Sequence, residues 1–211
     1  MKKITTLLLT TMFTLATSAF AGGMVGVKFG TGDLEGNKKA YTAGSNTYAA
    51  QSGSKDSEFG AIFAEYNVME SPISVGVEYV PFDADISLNG KQSGLSANVG
   101  DYTTLYALAM KELTQLNVYA KLGYSKADIG VLKNNDSSTS VNSKSDSLEG
   151  MMYGVGVQSK ELPYGLVARA EYTYTEFDDI SVTTTSNGSS NVKKTADGEL
   201  TTLTFSLAKS F

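Results

Sequence analysis

The strand-like segments of this chain are separated by seven gaps that alternate strictly long, short, long. The three short gaps are centred on Glu70–Pro72, Glu112–Gln115 and Glu161–Tyr164. The four long ones span roughly 35–56, 83–99, 129–148 and 179–198 and are rich in Ser, Asn, Gly, Asp and Thr. Four loops and three turns require eight strands. Strands joined by tight turns are antiparallel neighbours, so every turn falls at one end of the assembly and every loop at the other.

Within the segments, side chains alternate in character with a period of two, as they do on a strand whose two faces meet different surroundings. The seventh segment sets Leu166, Ala168, Ala170, Tyr172 and Tyr174 against Val167, Arg169, Glu171, Thr173 and Thr175. The fifth sets Leu116, Val118, Ala120, Leu122 and Tyr124 against Asn117, Tyr119, Lys121, Gly123 and Ser125. The third sets Ile73, Val75, Val77 and Tyr79 against Ser74, Gly76, Glu78 and Val80; the last sets Leu203, Phe205, Leu207 and Phe211 against Thr202, Thr204, Ser206 and Ser210. The apolar faces of the first, fourth and sixth are read as Val25/Val27/Phe29, Tyr102/Tyr106/Leu108/Met110 and Met151/Tyr153/Val155/Val157. In the second segment both faces are apolar. Glu65 decides it, because an unpaired carboxylate in lipid is costly; Ile62, Ala64 and Tyr66 then face outward and Phe63 inward.

The N-terminus sets the compartment. Lys2 and Lys3 precede an apolar stretch, Ile4 to Leu15, and Ala19-Phe20-Ala21 has the small-x-small pattern of a cleavage site. The stretch is too short to span a membrane as a helix, which takes about 20 residues. Residues 1–21 are expected to be a cleaved secretory signal, with Ala19 and Ala21 at the cut, and 22–211 a single domain. Without Lys2 and Lys3, 15 basic residues face 22 acidic ones, a formal charge of 15 − 22 = −7. That balance, with no clustered basic run, argues against a nucleic-acid partner. Cysteine is absent, so no disulfide framework exists.

An exported chain without a spanning helix crosses a membrane only as a closed barrel. A soluble sandwich would also alternate, with its apolar face inward. Here the polar face carries Gly, Ser, Thr and charges of both signs, suited to a crowded interior. The apolar face carries Tyr66, Tyr79, Tyr102, Tyr153, Tyr172 and Tyr174 near segment ends, and tyrosine favours the membrane–water boundary. The fold expected is all-β: an eight-stranded, antiparallel, up-and-down transmembrane β-barrel, with short turns in the periplasm and long loops outside the cell.

With the signal, the gap pattern and the terminal strand Leu203-x-Phe205-x-Leu207-x-Lys209-x-Phe211, the chain resembles the small eight-stranded outer-membrane barrels. That group holds the barrel of outer-membrane protein A, the OmpX-like proteins and the opacity-type adhesins. The resemblance implies that Leu203, Phe205, Leu207 and Phe211 form the signal read by the barrel-assembly machinery. Lys209 departs from that pattern, at a strand end where a lysine can snorkel to the headgroups. The resemblance implies an outer-membrane location, outer-membrane lipid and lipopolysaccharide as surroundings, and a monomer. The sequence ends on the last strand, so a peptidoglycan-binding module is not expected.

The face assignment places Lys28, Glu65, Glu78, Lys121, Arg169 and Glu171 in the lumen, with Lys111 near its periplasmic end. Glu-Tyr recurs as Glu65-Tyr66, Glu78-Tyr79 and Glu171-Tyr172, each time carboxylate in and ring out. Eight strands enclose a space that side chains fill, and charges there must pair. These residues are read as a structural ion-pair network; the alternatives are a gate for a narrow ion path, or a binding or catalytic role. There is no histidine, which removes the usual general base of barrel proteases and lipases, and metal sites built on His or Cys are excluded. Asp83/Asp85 and Asp178/Asp179 lack EF-hand spacing and read as solvated loop ends. No enzyme activity and no cofactor are expected. The function classes carried forward are a non-enzymatic envelope protein, a porin-like narrow channel, and an adhesin meeting an external ligand through its loops, 35–56 and 129–148 above all. Tyr41 and Tyr48 are almost the only aromatic anchors in those loops.

Overall fold

The computed structural model describes residues 22–43, 45–68, 71–81, 84–88, 95–129, 133–134, 139–142, 147–186 and 192–211. Eight long strands carry the fold: β1 (Gly23–Lys38), β2 (Gln51–Asn67), β3 (Ile73–Val80), β4 (Leu95–Glu112), β5 (Leu116–Ile129), β6 (Ser147–Ser159), β7 (Leu166–Ser186) and β8 (Val192–Ser210). Each pairs antiparallel with the next, and β8 returns to β1 in an unbroken register from Met24↔Ser210 to Lys38↔Ala196. The sheet is therefore a closed barrel without an open edge, the one β architecture that satisfies its backbone inside a membrane. Closure is completed at the turn end, where Gly22 donates to the Phe211 carbonyl and Phe211 donates to that of Gly23.

The strands reach further than their side chains suggest. Half of the gap read at 35–56 is strand: Glu35–Lys38 prolongs β1, and Gln51–Asp56 opens β2 opposite it. Gln51 to Glu58 is polar and exposed throughout, yet its backbone stays in the ladder. Backbone amides pair whatever side chains they carry, so polar composition marked the level where lipid ends and water begins rather than the end of the sheet. Between β1 and β2 a small hairpin, Tyr41–Ala43 with Asn46–Tyr48, stacks the two tyrosine rings at 4.8 Å. Ala19, Ala21, Glu70, Asp83 and the polar runs 135–138 and 187–190 lie outside the described residues.

The outer wall follows the expected faces in seven strands. Phe29, Val75, Leu122, Val155, Tyr172, Leu203 and Phe205 are all exposed outward, and Glu65 and Phe63 of β2 are buried inward as the carboxylate argument required. Strand β4 is reversed. Tyr106 and Leu108 are 6% and 2% exposed inside, Tyr102 and Met110 share their face, and Leu105 is 63% exposed on the wall with Ala107 and Ala109. Lys111 shares the face of Ala107 and Ala109, so it points outward and is not luminal. Tyr102 likewise leaves the outer tyrosine set, which Tyr124 joins. The reason lies in the partner strands: Tyr106 stands between Gly76 of β3 and Gly123 of β5. A Cβ at Gly76 would lie 2.5 Å from the Tyr106 ring, so that glycine leaves room inside for the ring. Tyr119 uses Gly156 of β6 in the same way, with 2.3 Å to a built Cβ.

Candidate functional site

The lumen is layered. At mid-height, inward positions on β1, β3, β5 and β7 bring Lys28, Glu78, Lys121 and Glu171 together. The Lys28 ammonium donates to Glu78 Oε2 and to Glu171 Oε1, both at 2.6 Å. Lys121 donates to the same two atoms at 3.0 and 3.1 Å. Each cation thus holds both anions. Beside this quartet, Arg169 of β7 grips Glu65 of β2 with two parallel bonds of 2.8 and 2.9 Å, and its Nε donates to Gln158 at 2.6 Å. A fork-to-fork pair of this kind is the strongest ionic contact a carboxylate makes.

Two tyrosines join the groups. Tyr106 donates to Glu65 at 3.2 Å, and its ring carries the Lys121 ammonium 3.9 Å from the centroid. Tyr119 donates to Glu171 at 3.0 Å and lies under the Arg169 guanidinium. All six charged residues read from the sequence as luminal are buried and paired here. Three cations meet three carboxylates, so their formal charges cancel. Among the described residues no buried side-chain nitrogen or oxygen lacks a partner.

A belt of hydroxyls lies beyond the quartet. Tyr102, Thr104, Ser125 and Thr175 are joined by bonds of 2.8 to 3.3 Å, and Thr173 meets Thr202 at 2.7 Å. Further toward the loops the interior becomes apolar. Ala127, Leu148 and Phe177 pack there against Leu34, Tyr102, Ile180 and Leu200, with Tyr102 edge-on to Phe177. A register shift between Phe177 and Ile180 puts both side chains inside, and the extra residue of such a bulge re-aims its neighbours. Asp178 and Asp179 occupy the bulge. Asp179 is bound by Lys39 at 2.6 Å, so the pair read as solvated is in part a tie between loop ends. The hydrogen bond from Lys39 to Asp179 holds the ammonium above its ordinary range. This apolar lid was not read from the sequence; the signals were Leu34, Leu148, Phe177 and Leu200 on inward positions of polar stretches.

No group of three or more acidic, cysteine or histidine side chains among the described residues is arranged to hold a metal ion. At the turn end Lys209 donates to the Tyr164 carbonyl and lies against Phe211, while Leu203, Phe205 and Leu207 line the outer face.

The amino-acid sequence matches, over residues 4–209, the family described as outer membrane protein beta-barrel domain. The chain belongs to that family. No curated protein matches it. Among solved structures it is similar to the outer membrane protease OmpT of Escherichia coli, with 10% identity, a TM-score of 0.54, and 93% of this chain and 99% of that one covered. Neisserial surface protein A aligns at 15% identity and a TM-score of 0.44, covering 90% and 98%. The N-terminal barrel of Pseudomonas aeruginosa OprF aligns at 12% and 0.40, covering 86% and 98%. At these identities the likeness is one of fold.

Proposed function

We propose that this member of the outer-membrane barrel family is a non-enzymatic envelope protein whose lumen is closed. One observation carries the reading: six luminal charges sum to zero, and each is buried in bonds to the others. A water-filled pore leaves its polar lining to solvent, whereas here the protein satisfies its own interior. The same saturation leaves none of the three luminal carboxylates free to act as general base, and the sequence contains no histidine.

In this reading residues 1–21 are removed after export, the barrel-assembly machinery reads the terminal strand, and the finished monomer sits among lipid and lipopolysaccharide. The test is single-channel recording of the refolded protein in a planar bilayer. The expected record is silent with protein shown to be inserted; reproducible unitary steps would overturn closure.

A second reading, a gated narrow channel, draws on one feature of the quartet. Lys28 and Lys121 share Glu78 Oε2 and Glu171 Oε1, so either lysine can swing away while the other keeps both carboxylates bonded. Alanine at Glu78 raising the frequency of unitary steps would favour it over a fixed plug. The adhesin reading rests on the Tyr41/Tyr48 stack on the loop side; deleting 39–50 would abolish attachment to cells if it holds.

A further inference from the structure

Lys111 is a basic residue on the apolar outer wall. It lies on the outer face of β4 at the turn end, below Ala109 and Ala107, where its neighbours are apolar. The other turn-end lysines are committed: Lys160 bonds Asn117 and lies 3.7 Å from Glu112, and Lys209 bonds a carbonyl. Lys111 makes no ion pair or hydrogen bond among the described residues.

Directly above it the wall is hollow. Ala109 of β4 faces Ala120 of β5 across the ladder, and two adjoining depressions of about 640 and 600 Å³ share these alanines, Val155 and Tyr172. Lys111 lines the lower one, and Tyr153 and Tyr174 border the upper. From Lys111 to Ala107, the stretch of β4 that lines the two depressions, is four residues, or about 13 Å along the strand. One leaflet's hydrocarbon is roughly 15 Å deep, half of the bilayer core. The hollow therefore covers most of one leaflet's depth, with an ammonium unpaired among the described residues at its lower end.

We propose that this hollow is a binding site for one anionic phospholipid of the periplasmic leaflet, its phosphate on Lys111 and an acyl chain lying over Ala109 and Ala120. The inference rests on the membrane placement of the barrel and not on whether its lumen is closed. Charge complementarity selects the occupant: an ammonium without a protein partner, at the leaflet of ordinary phospholipids, matches a headgroup of net negative charge. A second copy of this chain would have to bring a carboxylate to the same place.

The experiment uses the full barrel reconstituted in vesicles of phosphatidylethanolamine and phosphatidylglycerol in equal amounts, then extracted in mild detergent for native mass spectrometry. The expected result is one phosphatidylglycerol retained per barrel in preference to phosphatidylethanolamine. Lys111→Gln should lower that retention about fivefold, the worth of one basic residue near an anionic surface, and Lys111→Arg should preserve it. Ala120→Leu, which fills the hollow and keeps the charge, should reduce retention as well. Folding of every variant is checked by the gel shift on boiling. Equal retention by wild type and Lys111→Gln overturns the proposal, as does a dimer that Ala120→Leu dissolves. Silence or steps in the bilayer recording bear on the lumen alone, so the two readings fail separately.

Discussion

At mid-height the lumen is packed with charge, every group held by two or more partners, while at its outer mouth it is packed with Leu34, Leu148, Phe177 and Leu200. In the closed lumen proposed above, both layers exclude water, by different means. The first does so by giving each polar atom a protein partner, and losing one partner leaves an ion stranded. The second does so by offering water nothing to bond, and losing one side chain leaves a void. If the lumen is closed as proposed, it is sealed twice in series and has to be breached twice.

The largest effect is expected where an ion is orphaned. Arg169→Ala leaves Glu65 with only the Tyr106 hydroxyl, and should cost about 3–5 kcal/mol, read from the urea midpoint of the folded barrel in lipid vesicles. An unchanged midpoint would mean that water reaches Glu65 freely. Next is the apolar layer: Phe177→Ala should cost about 3 kcal/mol without disturbing the quartet. In the bilayer, Phe177→Ala and Glu78→Ala are each expected to stay silent, and only the double variant to show steps. Conduction by Glu78→Ala alone would show that the lid is no barrier.

Smaller effects sharpen the account. Gly156→Val drives a side chain into the Tyr119 ring and should cost about 1–3 kcal/mol, with the tyrosine ultraviolet signal changed. On the outside of the barrel, Glu199 stands directly between Glu176 and Glu35, and like charges facing one another on a sheet repel. Glu199→Gln should therefore stabilise the barrel by about 0.2–1 kcal/mol, less at high salt. The smallest effect is alkaline. Lys39 is raised above its ordinary 10.5 by its bond to Asp179, so its contribution is complete below that value and fades as pH climbs through the raised one. Lys39→Gln should remove that part of the alkaline loss in an unfolding series.

How much of this was legible in the sequence varies from layer to layer. The eight strands and the six mid-height charges were readable because parity is local: once Glu65 or Arg169 points inward, every second neighbour follows. Strand β4 was misread because both of its faces are apolar between Thr103 and Lys111. Tyr106 points inward over Gly76, which stands opposite it and far from it in sequence. The lid escaped for a related reason. Its residues lie singly in polar stretches, and the bulge that turns Phe177 and Ile180 to the same side breaks the parity on which the reading depended.

The ion pairs also bear on how the barrel comes together. Lys28 meets partners 50 and 143 positions away, Lys121 partners 43 and 50 away, and Arg169 one 104 away. None joins two strands adjacent in the chain. A sheet growing hairpin by hairpin therefore leaves Arg169 of β7 and Glu65 of β2 uncompensated on one face until its first and last strands meet. Such a face stays hydrated and resists early collapse. Neutralisation of that pair and ring closure become a single event at the end of assembly, where loop-closure entropy is largest.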